Sequence, residues 1–286
     1  MFSKRQIKKP HVFLITWLFL SIILFSTKAF TYDTEEGGPI GLTRKALNLK
    51  IKLHQGDNLA SELNQNFNGI INADVAEDNP PTWRYHFYNP QTKQGLFGKF
   101  GNAKDRAIDF YNTAKDLYCK GKKQEAWDKM GHVLHLLQDM AQPSHTHVGG
   151  IHAFPTILGM KKGYEAYVRD NWNNKNWGVS GSINDFLNIN SLQNKQLSDV
   201  CGYIDYLAMK SYLYPWDEDP YYLNDLQMKL NAINLLPIAI EYGTGLLNTF
   251  WEDLQKEGCA PKQPGRNIIA EQVREEFCCR FEMGKL

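Results

Sequence analysis

The sequence predicts an all-α protein built as a single compact helical domain. Three observations lead there. Apolar residues recur at three- and four-residue intervals along most of the chain beyond residue 40. Glycine, proline and short polar runs punctuate these periodic stretches. No alternating strand pattern extends beyond a few residues.

The first helix is expected from about Leu42, in GLTRKALNLKIKL, after a Gly/Pro stretch. INADVAEDNPPTWRYHFYNPQTKQGL reads as turn-rich, because Asn, Asp and Pro crowd together. DRAIDFYNTAKDLYCKG is a helix ending in a glycine cap, and KQEAWDKMGHVLHLLQDMAQ is a second, closed by Pro143. Residues 147–163 read as a loop. KGYEAYVRDNW resumes helix, NNKNWGVSGSIN is a loop, and LSDVCGYIDYLAMKSYL is helical again. LNDLQMKLNAINLLPIAIEYGTGLLNTFWEDLQKE is expected as two helices broken near Pro237.

Residues 1–29 differ from the rest. The basic run KRQIKK precedes VFLITWLFLSIILF, and Thr27 and Ala29 supply small residues for cleavage before Phe30. This is the pattern of a signal peptide, and a secreted or periplasmic protein is expected; an uncleaved membrane anchor is the rival reading. Residues 30–257 form the helical domain, and 258–286 a tail with one short helix. With 32 basic and 31 acidic residues the net charge is +1, so no global field attracts nucleic acid. Five cysteines without a CxxC pair exclude a zinc knuckle and leave one disulfide plausible, Cys119 with Cys201 or a pair within the tail.

The chemistry concentrates in HLLQDMAQPSH. A helix sets His135 and Asp139 on one face, four residues apart, where both can reach one metal ion, and His145 follows just past Pro143. Asp74, Glu77, Asp78 and His86 upstream, and His152 and Glu165 downstream, are further carboxylate and imidazole donors of the kind zinc takes. His132 and His11 read as structural. His147 is ambiguous.

Taken in order, the histidine after the acidic stretch, LHLLQDMAQPSH, the YEAYV helix and LLPIAIEYGTGLL resemble the zinc-dependent phospholipase C family, related in fold to the S1/P1 nucleases and closest to its poorly characterised bacterial branch. The resemblance runs in pieces from residue 69 to 247. It implies an all-helical fold around a cluster of zinc ions. The first zinc would take Asp74 or Asp78 with His86, His135 and Asp139; the second would take His145, His152 and Glu165. Asp74 or Asp78 would act as general base. Two features depart from the family pattern. Lys161 stands where a histidine precedes the glutamate by four residues, and no histidine lies between Phe30 and Leu53 to serve a third ion, while His54 looks like a surface residue. Two or three zinc ions are therefore expected.

The resemblance implies a monomeric phospholipase C, a phosphodiester hydrolase acting on phospholipid at a membrane surface, with an aromatic rim of Tyr85, Phe87, Tyr88, Phe154 and Tyr164. The alternatives are a P1-type single-strand nuclease, the one reading in which nucleic acid is a partner, and a non-catalytic relative lacking the third metal site.

Overall fold

The computed structural model describes residues 39–77, 82–96, 98, 101–147, 164–215 and 225–262. The predicted signal peptide, Asp78, His152, Phe154, the expected loop after His147 and the tail beyond Lys262 lie outside the described residues. Among the described residues no strand forms, only isolated bridges such as Asn89 with Gln94.

Helix α1, Pro39–Leu53, has proline in its first turn, where a missing N–H costs nothing. Its buried face carries Leu42, Ala46, Leu47 and Leu49. Asp57 then starts helix α2, Asn58–Glu77, by accepting from the Ala60 amide at 2.9 Å. His54, expected at the surface, is instead buried, with Nδ1 2.5 Å from Asp57 Oδ2. The turn-rich reading of residues 71–77 is also corrected. Ile70, Ile71, Ala73, Asp74 and Glu77 form a buried stripe on α2, and this tertiary burial outweighs local turn chemistry up to Glu77.

Helices α3, Ala103–Cys119, and α4, Lys123–Asp139, form an antiparallel pair joined at Gly121, whose φ of +78° suits glycine. Asn102 caps α3 by accepting from the Asp105 amide at 2.9 Å. Helix α4 packs against both α2 and α3 and is the centre of the molecule. Every residue from Val133 to Asp139 is buried, as befits a helix enclosed on all sides. Gly131 permits this. A Cβ there would lie 2.3 Å from the Ile70 carbonyl oxygen and 2.8 Å from the Ala73 Cβ, so α2 and α4 approach at that point to a distance only glycine allows.

Helix α4 ends at Asp139 rather than at Pro143. The proline opens its own short helix, α5, Pro143–Thr146, in the position where its fixed φ is favourable. Helices α6, Tyr164–Asn171, α7, Ile183–Phe186, and α8, Val200–Tyr212, follow. The last, α9, is one continuous helix, Asp225–Lys256, with Pro237 inside it. The two-helix expectation fails because flanking burial decides the outcome. An internal proline costs about 3 kcal/mol, and burying Leu235, Leu236 and Ile240 returns about 1.5–3 kcal/mol each.

The beginning of the tail is fastened to the domain. Cys259 forms a disulfide with Cys119 at the end of α3, closing a sequence separation of 140 residues, and Ala260 is buried. The pair is neither of the two expected from sequence. No described helix is long and apolar enough to cross a membrane.

Candidate metal centre

Four elements converge on one buried point. Helix α2 brings Asp74 and Glu77, the segment after the 3₁₀ turn Thr82–Tyr85 brings His86, α4 brings His135 and Asp139, and α5 brings His145. The irregular segment is tied down by its backbone. Tyr88 N–H donates to the His145 carbonyl at 2.9 Å, and the Phe87 carbonyl accepts from the Ala103 amide at 3.1 Å.

His86 Nδ1 lies 3.0 Å from Asp139 Oδ2 and 3.4 Å from His135 Nε2, and His135 Nε2 lies 3.4 Å from the same Asp139 oxygen. A tetrahedral zinc ion with bonds of about 2.0–2.1 Å spaces its ligand atoms by about 3.3 Å. The three donors thus already form one face of such a tetrahedron. All three residues are fully buried, and neither Asp139 oxygen makes a well-formed hydrogen bond. Buried polar atoms are normally satisfied, so these are suited to a cation.

The other ring nitrogen of His135, Nδ1, lies 2.8 Å from Asp74 Oδ1, while Asp74 Oδ2 has no partner. On the opposite side, His145 Nδ1 is 3.4 Å from Asp139 Oδ1 and its Nε2 is 3.1 Å from Glu165 Oε1. Asp139 therefore stands between two donor groups, one oxygen toward each. Burial alone would raise the Asp139 pKa, but His135, His145 and His86 outweigh it and hold the carboxyl well below its usual range. Burial likewise opposes protonation of His145, yet Asp139 and Glu165 lift that pKa to about 10. Burial lowers the pKa of His86.

Glu77 is the residue the sequence did not rank. It is buried, receives Nε and Nη2 of Arg106 and lies 2.8 Å from His132 Nδ1. His132, read as structural, contacts this carboxylate and stacks on Phe110. Gln142 was missed as well. It lies between Asp139 and His145, is buried, and neither amide atom has a hydrogen-bond partner. A polar residue amid Leu, Met, Ala and Pro was the only signal for it. His147 stacks on Tyr212, with ring centroids 4.3 Å apart.

The expected aromatic rim is largely core: Phe87, Tyr88 and Tyr164 are buried. Tyr85 instead borders a cleft of about 380 Å³ with Asp105, Arg106, Asp109 and Phe110, immediately beside Glu77. A cleft of about 400 Å³ near Tyr167, Trp177 and Lys229 holds none of the histidines.

No protein-family model matches the chain. The chain is 32% identical over 123 residues to the phospholipase C of Listeria monocytogenes, a match covering 40% of this chain and 41% of that protein. Over that stretch the chain is similar to a phospholipase C. Its fold is that of two solved structures. The alpha toxin from Clostridium absonum matches with a TM-score of 0.59 and 19% identity, over 80% of this chain and 67% of that one. The Clostridium perfringens alpha-toxin from an avian strain matches with a TM-score of 0.54 and 14% identity, over 75% and 64%. The chain thus spans less than half the length of the curated protein it matches, and its all-helical architecture agrees with the fold expected from sequence.

Proposed function

We propose that the protein is a zinc-dependent phosphoric diester hydrolase of the phospholipase C type, cleaving the headgroup from a phospholipid. The observation that carries this reading is the triangle of His86 Nδ1, His135 Nε2 and Asp139 Oδ2, whose edges of 3.0–3.4 Å suit one tetrahedral ion. Likeness to the Listeria phospholipase C supports the substrate class. Zinc held there would lower the pKa of a coordinated water toward about 7 and polarise the phosphoryl oxygens.

The chain's own residues do the rest. Asp74 accepts the Nδ1–H of His135, which fixes the tautomer that leaves the Nε2 lone pair for the metal. Asp74 Oδ2 has no hydrogen-bond partner and can take the proton of the attacking water; Asp78 is the other candidate base. His145 and Glu165, with His152, would hold a second ion, for two or three in all. Export directed by residues 1–29, to a secreted or periplasmic site, and action as a monomer on a membrane surface belong to the same reading.

The test is elemental analysis of the purified protein together with hydrolysis of phosphatidylcholine vesicles and of single-stranded DNA. Two or more zinc ions per chain, with phosphatidylcholine turnover lost in His135→Ala, is the expected result. Preferential cleavage of DNA would replace the lipid substrate with a nucleic acid. Less than one zinc per chain and no turnover of either substrate would sink the enzyme reading.

A further inference from the structure

His86 offers Nδ1 to the donor triangle, so its other nitrogen must carry the ring proton. That nitrogen, Nε2, is buried and lacks a hydrogen-bond partner; the carboxylate nearest to it is Glu77, with Oε1 at 3.8 Å. An ionised carboxylate has about four acceptor positions. Three face Arg106 Nε, Arg106 Nη2 and His132 Nδ1. One remains, on the side of His86.

We propose that Glu77, clamped by Arg106 and His132, is a positioning residue that holds His86 with Nδ1 turned to the metal. The inference rests on the zinc reading above. It adds a second carboxylate–histidine pair to that of Asp74 with His135, so each metal-facing imidazole has its own buried carboxylate behind it. A shift of less than 1 Å brings Nε2 into hydrogen-bond range of Glu77 Oε1. The clamp is itself rigid. The Arg106 guanidinium lies over the Tyr85 and Phe110 rings, at 4.9 and 4.5 Å, and Phe110 stacks on His132. Arg106 also reaches the neighbouring cleft, so the charge that keeps Glu77 ionised sits between the buried centre and solvent.

The experiment measures zinc affinity by chelator competition, and the visible spectrum of the cobalt-substituted protein, for the full chain and for Glu77→Gln and Arg106→Lys. Glu77→Gln is expected to bind zinc about 10–100-fold more weakly and to shift the cobalt bands, with far-ultraviolet circular dichroism unchanged. Arg106→Lys keeps the charge but loses the two-pronged grip, and is expected to weaken zinc by at least about threefold. A folded Glu77→Gln that binds zinc as the parent does, with the same cobalt spectrum, overturns the proposal. Should Glu77→Gln fail to fold, Arg106→Lys decides: a weaker zinc site supports the role, and an unchanged one overturns it. A parent protein that binds no zinc overturns this role and the metal reading together, whereas a zinc-binding parent with unaffected variants overturns the role of Glu77 alone.

Discussion

His135 Nδ1 and Asp74 Oδ1 lie 2.8 Å apart with both side chains buried, and this contact couples α4 to α2 beside the His86, His135 and Asp139 triangle. It also separates two tasks. In the proposed mechanism Oδ1 of Asp74 orients the imidazole, and Oδ2, which has no hydrogen-bond partner, takes a proton. Asp74→Asn keeps an oxygen able to accept from His135 but removes the base. It is therefore expected to retain most of its zinc while hydrolysis falls by roughly 10²–10⁴-fold. Asp74→Ala should lose zinc affinity as well, by about 10–100-fold. Chelator competition and turnover measured on both variants check this; equal zinc loss in the two would make Asp74 a direct ligand.

Asp139 faces His86 and His135 with one oxygen and His145 with the other. Removing it should deplete both donor groups, whereas removing His145 should deplete one. Metal analysis is expected to show Asp139→Ala losing more zinc per chain than His145→Ala. The reverse order would mean that Asp139 serves a single ion.

The histidine and aspartate of α4 were legible from sequence because their relation is local: four residues of helix suffice to set them on one face. His145 was legible for the same reason, although the part played by Pro143 was not. A helix start and a helix stop both place proline at a boundary, and only the geometry of residues 140–143 tells them apart. Glu77 was harder. Its partners Arg106 and His132 come from other helices, and residues followed by Asn-Pro-Pro look like a turn until α4 buries them. The disulfide between Cys119 and Cys259 and the uninterrupted α9 likewise depend on which segments pack together, which local pattern does not encode. The overall helical class survived these errors because it depends on periodicity summed over many segments.

Glu77 contributes a defined part of the metal-free protein's acid response. Burial alone would raise its pKa, but the close contact with His132 and the hydrogen bonds from Arg106 outweigh this and lower it to about 2, against an ordinary value near 4.5. A carboxyl whose folded pKa is depressed stabilises the fold fully above the unfolded value, and that contribution disappears as pH falls toward the folded value. The stability difference between the parent and Glu77→Gln should therefore be largest above about pH 4.5 and shrink between about pH 4.5 and 2. Urea midpoints measured with chelator across that window test this, and a difference independent of pH would count against it.

The spacing of α2 and α4 is set at Gly131, one turn before His135, and this makes the centre sensitive to a single methyl group. In Gly131→Ala the new Cβ would meet the Ile70 carbonyl oxygen at 2.3 Å, a contact that only separation of the helices can relieve. Alanine's better helix propensity, worth about 1 kcal/mol, opposes an overpacking cost of roughly 1–3 kcal/mol. The net expectation is destabilisation, with weaker zinc binding because the Asp74–His135 contact lengthens. Gly243 in α9 provides the contrast. A Cβ there would meet Ala46 at 3.4 Å and Leu134 at 3.6 Å, which is ordinary packing, so Gly243→Ala should be neutral or stabilising by up to about 1 kcal/mol and leave zinc affinity unchanged. Thermal denaturation and chelator competition on the two variants decide the matter. Equal behaviour would show that the α2–α4 contact has slack, and that the donor triangle owes its geometry to the loop carrying His86.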